Sequence, residues 1–181
     1  MAGTPSRLFV PRMLWLALLI AQGIFVLLLA VPLVELPSAR PDDTLLAVLV
    51  AVATSSAIAS FLLPQHFLRA ALARHRFEMR EVPDPSAPVG FRGAAPTIRE
   101  HADVAAVHRI ARMIGTTPFI LSIAFSESIS VIGFASAFLG HPPIVWGAFI
   151  ATGIALTALR FPTDATFFGP IERHTGVPVP R

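Results

Sequence analysis

The fold is decided by a run of about 22 residues, Met13–Val34, which reads MLWLALLIAQGIFVLLLAVPLV and contains no ionisable side chain. An α-helix needs about 20 apolar residues to cross the hydrocarbon core of a bilayer. The run is longer than the roughly 7 to 15 residues of a signal-peptide core. We therefore predict a retained membrane span over about 13–35, with Trp15 near its inner end, where tryptophan is common.

Three more apolar blocks follow, and they predict further spans over about 44–67, 113–139 and 143–160. The chain has 181 residues, of which 54% are hydrophobic and 14% are charged. A soluble domain carries about 25% charged residues, so this balance excludes a conventional soluble globule. The sequence predicts an all-α membrane protein, in which four transmembrane helices form a single domain.

The distribution of arginine predicts the orientation. All 14 basic residues are arginine, and eight of them fall in 69–112, between the second and third spans. Positively charged loops stay in the cytoplasm, and Arg40 is the one arginine predicted on the other side. We therefore predict a bacterial cytoplasmic (inner) membrane protein with both termini inside, including a tail over 161–181. The arginines are not interleaved with aromatic or polar side chains that could contact nucleic-acid bases. We therefore expect no nucleic-acid binding.

The cytoplasmic connection over 69–112 divides into three parts. Residues 68–81 lack glycine and proline, so we predict that the second helix continues through them. Residues 82–96 contain four prolines and two glycines, which is typical of a linker. Thr97 and Glu100 fit a capping box, so a second cytoplasmic helix is predicted to begin there and to run into the third span. Pro178 and Pro180 predict a disordered end of the tail.

Glu127 is the residue of the spans that most strongly suggests a function. It is the only ionisable residue between Arg112 and His141, and it falls near the middle of the third span. Such a group at mid-depth costs about 2.5 to 3.5 kcal/mol by insertion scales, so it is kept only with compensation or a purpose. Polar residues of the other spans are expected at a similar depth. The candidate ion or proton site consists of Glu127, Gln22, Ser126, Ser130 and Ser55.

Three interpretations of Glu127 remain open. In the first, it exchanges a proton or binds a cation. In the second, it is a neutral acid that hydrogen-bonds Gln22 or a serine and fixes the packing of the helices. In the third, it faces lipid, and an oligomeric partner covers it.

Small residues recur at intervals of four in two of the spans, and such stripes let helix backbones approach closely. Helix-packing faces are predicted at Ala47, Ala51, Ser55 and Ala59 in the second helix, at Gly147, Ala151 and Ala155 in the fourth, and at Gly133 beside Glu127 in the third.

No catalytic or metal-binding set is visible in the sequence. The chain has no cysteine, which excludes thiolate nucleophiles and cysteine ligands. None of the six histidines forms a His-x-x-x-His pair. The serines around Glu127 have no neighbouring histidine to act as a base. We therefore predict a protein that is not an enzyme and that uses neither a cofactor nor a metal.

The segment Ile120–Phe134 resembles the carboxylate helix of the rotary ATPase proteolipid (c) subunits. In that family, a glutamate in an apolar helix is followed six residues later by glycine, as Glu127 is followed by Gly133 here. The resemblance covers about 15 residues and implies that Glu127 carries a translocated ion. The overall plan is also similar to that of small bacterial four-helix membrane proteins, which implies no activity.

Two functions follow as expectations. The first is an accessory subunit or an assembly (scaffold) factor, which packs in the lipid bilayer against another membrane protein or forms a homo-oligomer. The second is an ion- or proton-coupled membrane protein that uses Glu127. A polar cavity that joins Glu127 to water would favour the second function, whereas a sealed and hydrogen-bonded Glu127 would favour a structural role.

Overall fold

The computed structural model describes residues 8–31, 42–87 and 96–180. In these ranges the elements are α1 Phe9–Ala30, α2 Asp43–Arg74, β1 Met79–Pro83, β2 Thr97–His101, α3 Val104–Phe138, α4 Pro143–Ala158 and α5 Asp164–Thr175. The loop predicted around Arg40 and the linker residues 88–95 lie outside the described residues. The chain divides into two compact units, a membrane unit (Met1–Phe67 and Thr116–Pro162) and a connection unit (Leu68–Gly115 and Thr163–Arg181).

Three helices are long and apolar enough to cross a membrane: α1 with 22 residues, α2 with 32 and α3 with 35. They indicate a helical, multi-pass membrane protein, which confirms this part of the prediction. The fourth apolar block forms α4, which has 16 residues. At 1.5 Å per residue, α4 is about 24 Å long, shorter than a hydrocarbon core of about 30 Å.

A tight turn joins α3 to α4. Gly140 has φ 80°, a left-handed conformation that glycine adopts without steric cost. Its N–H donates to Ala137 O at 3.2 Å, and the N–H of His141 donates to Ser136 O at 3.2 Å. These two bonds form a Schellman motif, which satisfies carbonyl groups at the end of a helix. Because α4 begins directly afterwards at Pro143, the two helices form a hairpin.

Two glycines set the distance between α3 and α4. A Cβ atom on Gly153 would lie 2.8 Å from the carbonyl oxygen of Ser126, and one on Gly133 would lie 2.8 Å from that of Trp146. Larger residues at either position would force the backbones apart. Ile150 packs against Gly133 and is 1% exposed, so the contact between these two helices excludes solvent.

The connection between α2 and α3 contains strands where the sequence predicted helix. α2 ends at Arg74, and β1 pairs antiparallel with β2, with Met79 opposite His101. Thr97 and Glu100 therefore lie in a strand, so the helix predicted to begin at Thr97 is wrong there, and the predicted continuation of the second helix is present only as far as Arg74. Burial alternates from Thr97 to Glu100 with the period of two that a strand requires, and His101 at the end of the strand is buried. The helical prediction relied on local composition, whereas the strands depend on pairing between separated segments.

α3 begins at Val104, and an acidic side chain caps it. Asp103 Oδ1 accepts a hydrogen bond from the N–H of Ala106 at 2.9 Å. An N-cap residue satisfies a free backbone N–H of the first turn in this way. The predicted continuity between a cytoplasmic helix and the third span is therefore present, but the helix starts later than expected.

The two ends of the Pro-rich segment are joined. The N–H of Asp84 donates to Pro96 O at 2.8 Å. The Asp84 carboxylate accepts bonds from the amide and hydroxyl of Ser86 at 2.8 and 2.6 Å, and these bonds lower the pKa of Asp84. The described part of the linker is thus a turn that continues from β1.

The end of the tail, which the sequence predicts to be disordered, is a folded part of the connection unit as far as Pro180. α5 has Thr163 as its N-cap and ends at Gly176, which has φ 70°. Val177 and Val179 follow and are 6% and 3% exposed. The N–H of Val179 donates to Glu172 Oε1 at 3.1 Å. The prediction of disorder was wrong because it weighed the two prolines and overlooked the buried valines beside them.

Candidate functional site

A buried glutamine joins three helices of the membrane unit. Gln22 of α1 is 0% exposed. Its Nε2 donates to Thr157 Oγ1 of α4 at 2.9 Å, and its Oε1 accepts a bond from Ser130 Oγ of α3 at 2.8 Å. We call Gln22, Ser130 and Thr157 the glutamine cluster. The structure therefore brings together Gln22 and Ser130 of the predicted site, and it adds Thr157, which sequence reasoning missed.

Trp15 extends this connection between α1 and α4. Its Nε1 donates to the main-chain oxygen of Thr157 at 2.8 Å. The Trp15 and Phe161 rings meet edge to face, with centroids 5.0 Å apart. The guanidinium carbon of Arg12 lies 5.6 Å from the centroid of Phe161, within the range of a cation–π interaction. Trp15, which lies near one end of α1, therefore also holds α1 against α4.

Arg160 joins a second set of helices through its guanidinium group. Nη1 donates to Ser126 Oγ of α3 and, at 3.0 Å, to the carbonyl oxygen of Leu156. Nη2 donates to the hydroxyl and carbonyl oxygens of Ser60 in α2, at 2.8 and 3.3 Å. The guanidinium carbon also lies 4.5 Å from the centroid of the Phe61 ring. We call Arg160, Ser126, Ser60, Leu156 and Phe61 the arginine cluster.

The position of Arg160 differs from the sequence interpretation. The distribution of arginine grouped it with the cytoplasmic arginines, at the end of the span predicted over 143–160, whereas the structure places its side chain among three helices of the membrane unit. One signal was available: the fourth apolar block is short, so an arginine at its end falls alongside the middle of α3. The arginine cluster has four neutral oxygen acceptors, and it contains no carboxylate.

Glu127 belongs to neither cluster. Among the residues that the structure describes, none forms a hydrogen bond or an ion pair with it, although Ser126 and Ser130 on the same helix are 0% exposed. Successive residues of an α-helix are turned by about 100°, which directs Glu127 away from Ser126. Glu127 is partly exposed. It lies on the side of α3 that carries five exposed apolar residues: Ile120, Ala124, Val131, Ala135 and Phe138.

Unlike Glu127, two hydroxyl groups on exposed helix faces have a hydrogen-bond partner within their own helix. Ser55 Oγ donates to Ala51 O at 2.8 Å, and Thr152 Oγ1 donates to Ala148 O at 2.7 Å. Each hydroxyl thus donates its proton to a carbonyl oxygen of its own helix, which makes it tolerable beside lipid. Glu127 has no such internal bond. Ser55 is therefore separate from the other predicted site residues and needs no outside partner.

The small-residue stripes lie mainly on outward faces. Ala47, Ala51, Ala151 and Ala155 are exposed. A Cβ atom on Gly147 would meet nothing within 4 Å. Ala59 is partly exposed, as is Gly147. Gly133 is the member of the predicted set that lies in a close contact within the chain, and contact of the other members with another chain stays a prediction.

Neither comparison with known proteins nor a search for a metal site among the described residues indicates a particular activity. No protein-family model, curated protein or solved structure matches the chain. Within residues 8–31, 42–87 and 96–180, no group of three histidine, aspartate or glutamate side chains lies close enough together to hold a metal ion. The fold defines a helical, multi-pass membrane protein, and its distinctive feature is the Glu127 carboxyl group, which has no partner among the described residues.

Proposed function

We propose that this protein is a non-enzymatic accessory subunit or assembly factor that packs against another membrane protein. The observation that supports this function is the position of Glu127 on an exposed side of α3, without a hydrogen-bond partner among the described residues. A carboxyl group near the middle of a span is costly in hydrocarbon. Contact with another protein would remove that cost, and this corresponds to the third interpretation of Glu127.

The ion-coupled alternative receives less support from the surroundings of Glu127. Proton or cation exchange requires a polar route between the carboxyl group and water. On the exposed side of α3, the neighbours of Glu127 toward either end are apolar: Ile120 and Ala124 on one side, and Val131 and Ala135 on the other. They offer no groups that would carry a proton or replace the hydration of an ion.

The proposed topology has four crossings with both termini in the cytoplasm of a bacterial cell. The arginine-rich connection supports the orientation, because positively charged loops remain inside. α4 makes the fourth crossing in this proposal. Its length of about 24 Å is short for a bilayer, and local thinning of the bilayer would accommodate the difference.

The function is tested by isolating the tagged protein from its native membranes in mild detergent. We expect one membrane protein to copurify at a fixed ratio, in a complex clearly larger than the 19.4 kDa chain. Chemical crosslinking before extraction serves as a control against association in the detergent. A protein that is monomeric in the crosslinked membranes and in several detergents would contradict the accessory function.

A further inference from the structure

We propose that the exposed side of α3 around Glu127 is a docking surface for a membrane-spanning helix of another protein, which presents an arginine or lysine side chain to Glu127. We call this surface the glutamate face, and it consists of Ile120, Ala124, Glu127, Val131, Ala135 and Phe138. The inference rests on the proposed accessory function and specifies where the partner binds and which chemistry it supplies.

The glutamate face has the shape and composition of a helix-docking surface. Its residues recur at intervals of three or four, so they share one side of α3. Ile120, Val131 and Phe138 are 42%, 46% and 42% exposed. Ala124 and Ala135 are small, and small residues let the backbone of a second helix approach closely. Glu127 stands between the apolar ends of this surface, 11 residues before the end of α3 at Phe138, or about 17 Å along the helix.

Charge complementarity indicates what should occupy the surface. A carboxyl group is the one titratable group on the glutamate face, and the chain provides it with no cation or hydrogen-bond donor among the described residues. In a medium of low dielectric, a basic side chain stabilises a carboxylate more strongly than it does in water. A partner helix with arginine or lysine at this depth would therefore compensate Glu127 and fix the register of the contact.

A second copy of this chain fits the surface poorly. A two-fold contact through the glutamate face would bring the same surface of each copy together and place two glutamates at the same depth. Arg160 reaches the level of Ser126, next to Glu127 in the chain, but both of its terminal nitrogens already donate to Ser126, Leu156 and Ser60. A second copy thus has no free arginine to offer from the arginine cluster.

Photo-crosslinking in native membranes tests this proposal. A benzophenone amino acid is placed at Ala124 or Val131, which flank Glu127 on the glutamate face. Val52 on α2 is the control position, because it is 48% exposed on a different helix. We expect adducts with one other protein from Ala124 and Val131. The Glu127→Leu variant should lower their yield about tenfold, as expected for loss of a hydrogen bond between charged groups, and leave the yield at Val52 unchanged.

The chemistry of the partner is tested by mapping the adduct and exchanging charges. The crosslinked peptide should lie in a membrane-spanning segment that contains arginine or lysine. Replacing that basic residue with leucine should lower the yield as Glu127→Leu does. Glu127→Arg combined with glutamate at the partner position should restore it. Glu127→Gln keeps the shape and a hydrogen bond, so its yield should lie between those of the wild type and Glu127→Leu.

Several results would overturn the proposal, and they separate it from the accessory function. Adducts of twice the chain mass would show that a second copy occupies the face. A second contrary result is that Ala124 and Val131 crosslink only to lipid while Val52 crosslinks to a copurified protein. This result would place the docking surface elsewhere and leave the accessory function intact. A partner segment without a basic residue would reject the charge pairing. The absence of both protein adducts and a copurified protein would reject both proposals.

Discussion

Replacing Gln22 with methionine tests how much the glutamine cluster stabilises the membrane unit. Methionine is similar to glutamine in length and flexibility, so the main change is the loss of two interhelical hydrogen bonds. Such bonds in membrane proteins average about 0.6 kcal/mol and reach about 1.7 kcal/mol. We therefore expect Gln22→Met to lower the free energy of unfolding by about 1.2 kcal/mol, with an upper limit of about 3.4 kcal/mol.

The measurement is reversible unfolding in mixed micelles, followed by tryptophan fluorescence. Trp15 is a suitable reporter because its indole N–H is bonded to Thr157, a member of the glutamine cluster. Ser55→Ala is the matched control, since the hydroxyl of Ser55 is bonded within its own helix on an exposed face. A double-mutant cycle with Ser130→Ala should give a coupling of about 0.6 kcal/mol.

One result would refute this reasoning. If Gln22→Met changed the free energy of unfolding by no more than Ser55→Ala does, the buried bonds of Gln22 would not hold α1 against α3 and α4. A coupling of zero with Ser130→Ala would refute the Gln22–Ser130 contact in particular.

Three further predictions concern other parts of the chain. Gly153→Ala should destabilise the membrane unit by about 1 to 3 kcal/mol through overpacking against α3. Gly147→Ala should be tolerated, because nothing lies within 4 Å of its new Cβ. Equal decreases of the melting temperature in the two variants would contradict this prediction. His101→Leu should leave the unfolding midpoint of the connection unit unchanged or raise it, because both ring nitrogens of His101 are buried without a partner among the described residues; a clear decrease in thermal melts would count against it. Single cysteines at the exposed positions Ser86 and His174 should react with an impermeant reagent from the same side of the membrane if α4 crosses it, and labelling from opposite sides would reject the fourth crossing.

The long apolar helices were predictable because their signal is local. About 20 consecutive apolar residues identify a span without knowledge of its neighbours, so α1, α2 and α3 were expected near their observed positions. Their ends were less predictable: α1 begins at Phe9, before the predicted start near Met13, and α2 ends at Arg74, although the second helix was predicted to continue through residues 68–81. The strands β1 and β2 were missed because Met79 pairs with His101, and composition within either segment carries no information about that pairing.

The candidate site shows a similar limit. Gln22 and Ser130, which the sequence grouped by their spacing along the spans, form a hydrogen bond in the structure, but spacing alone does not determine which way a side chain faces. Ser126 faces the interior of the membrane unit, and Glu127, the next residue, turns about 100° away from it. The short fourth apolar block indicates that Arg160 lies beside α3, but its bonds to Ser126 and Ser60 depend on how α2, α3 and α4 pack together.

The central claim is that another protein covers the glutamate face, and spin labelling at Ala124 tests it most directly. The chain has no native cysteine, so Ala124→Cys gives a single labelling site, and Val52→Cys on α2 is the control. Oxygen concentrates in the hydrocarbon region, and its collisions with the label report contact with lipid. We expect the Ala124 label to be much less accessible to oxygen in vesicles that contain the copurified complex than in vesicles that contain the isolated protein. The oxygen accessibility of the Val52 label should be the same in both samples. Equal accessibility of the Ala124 label in the two samples would contradict the account.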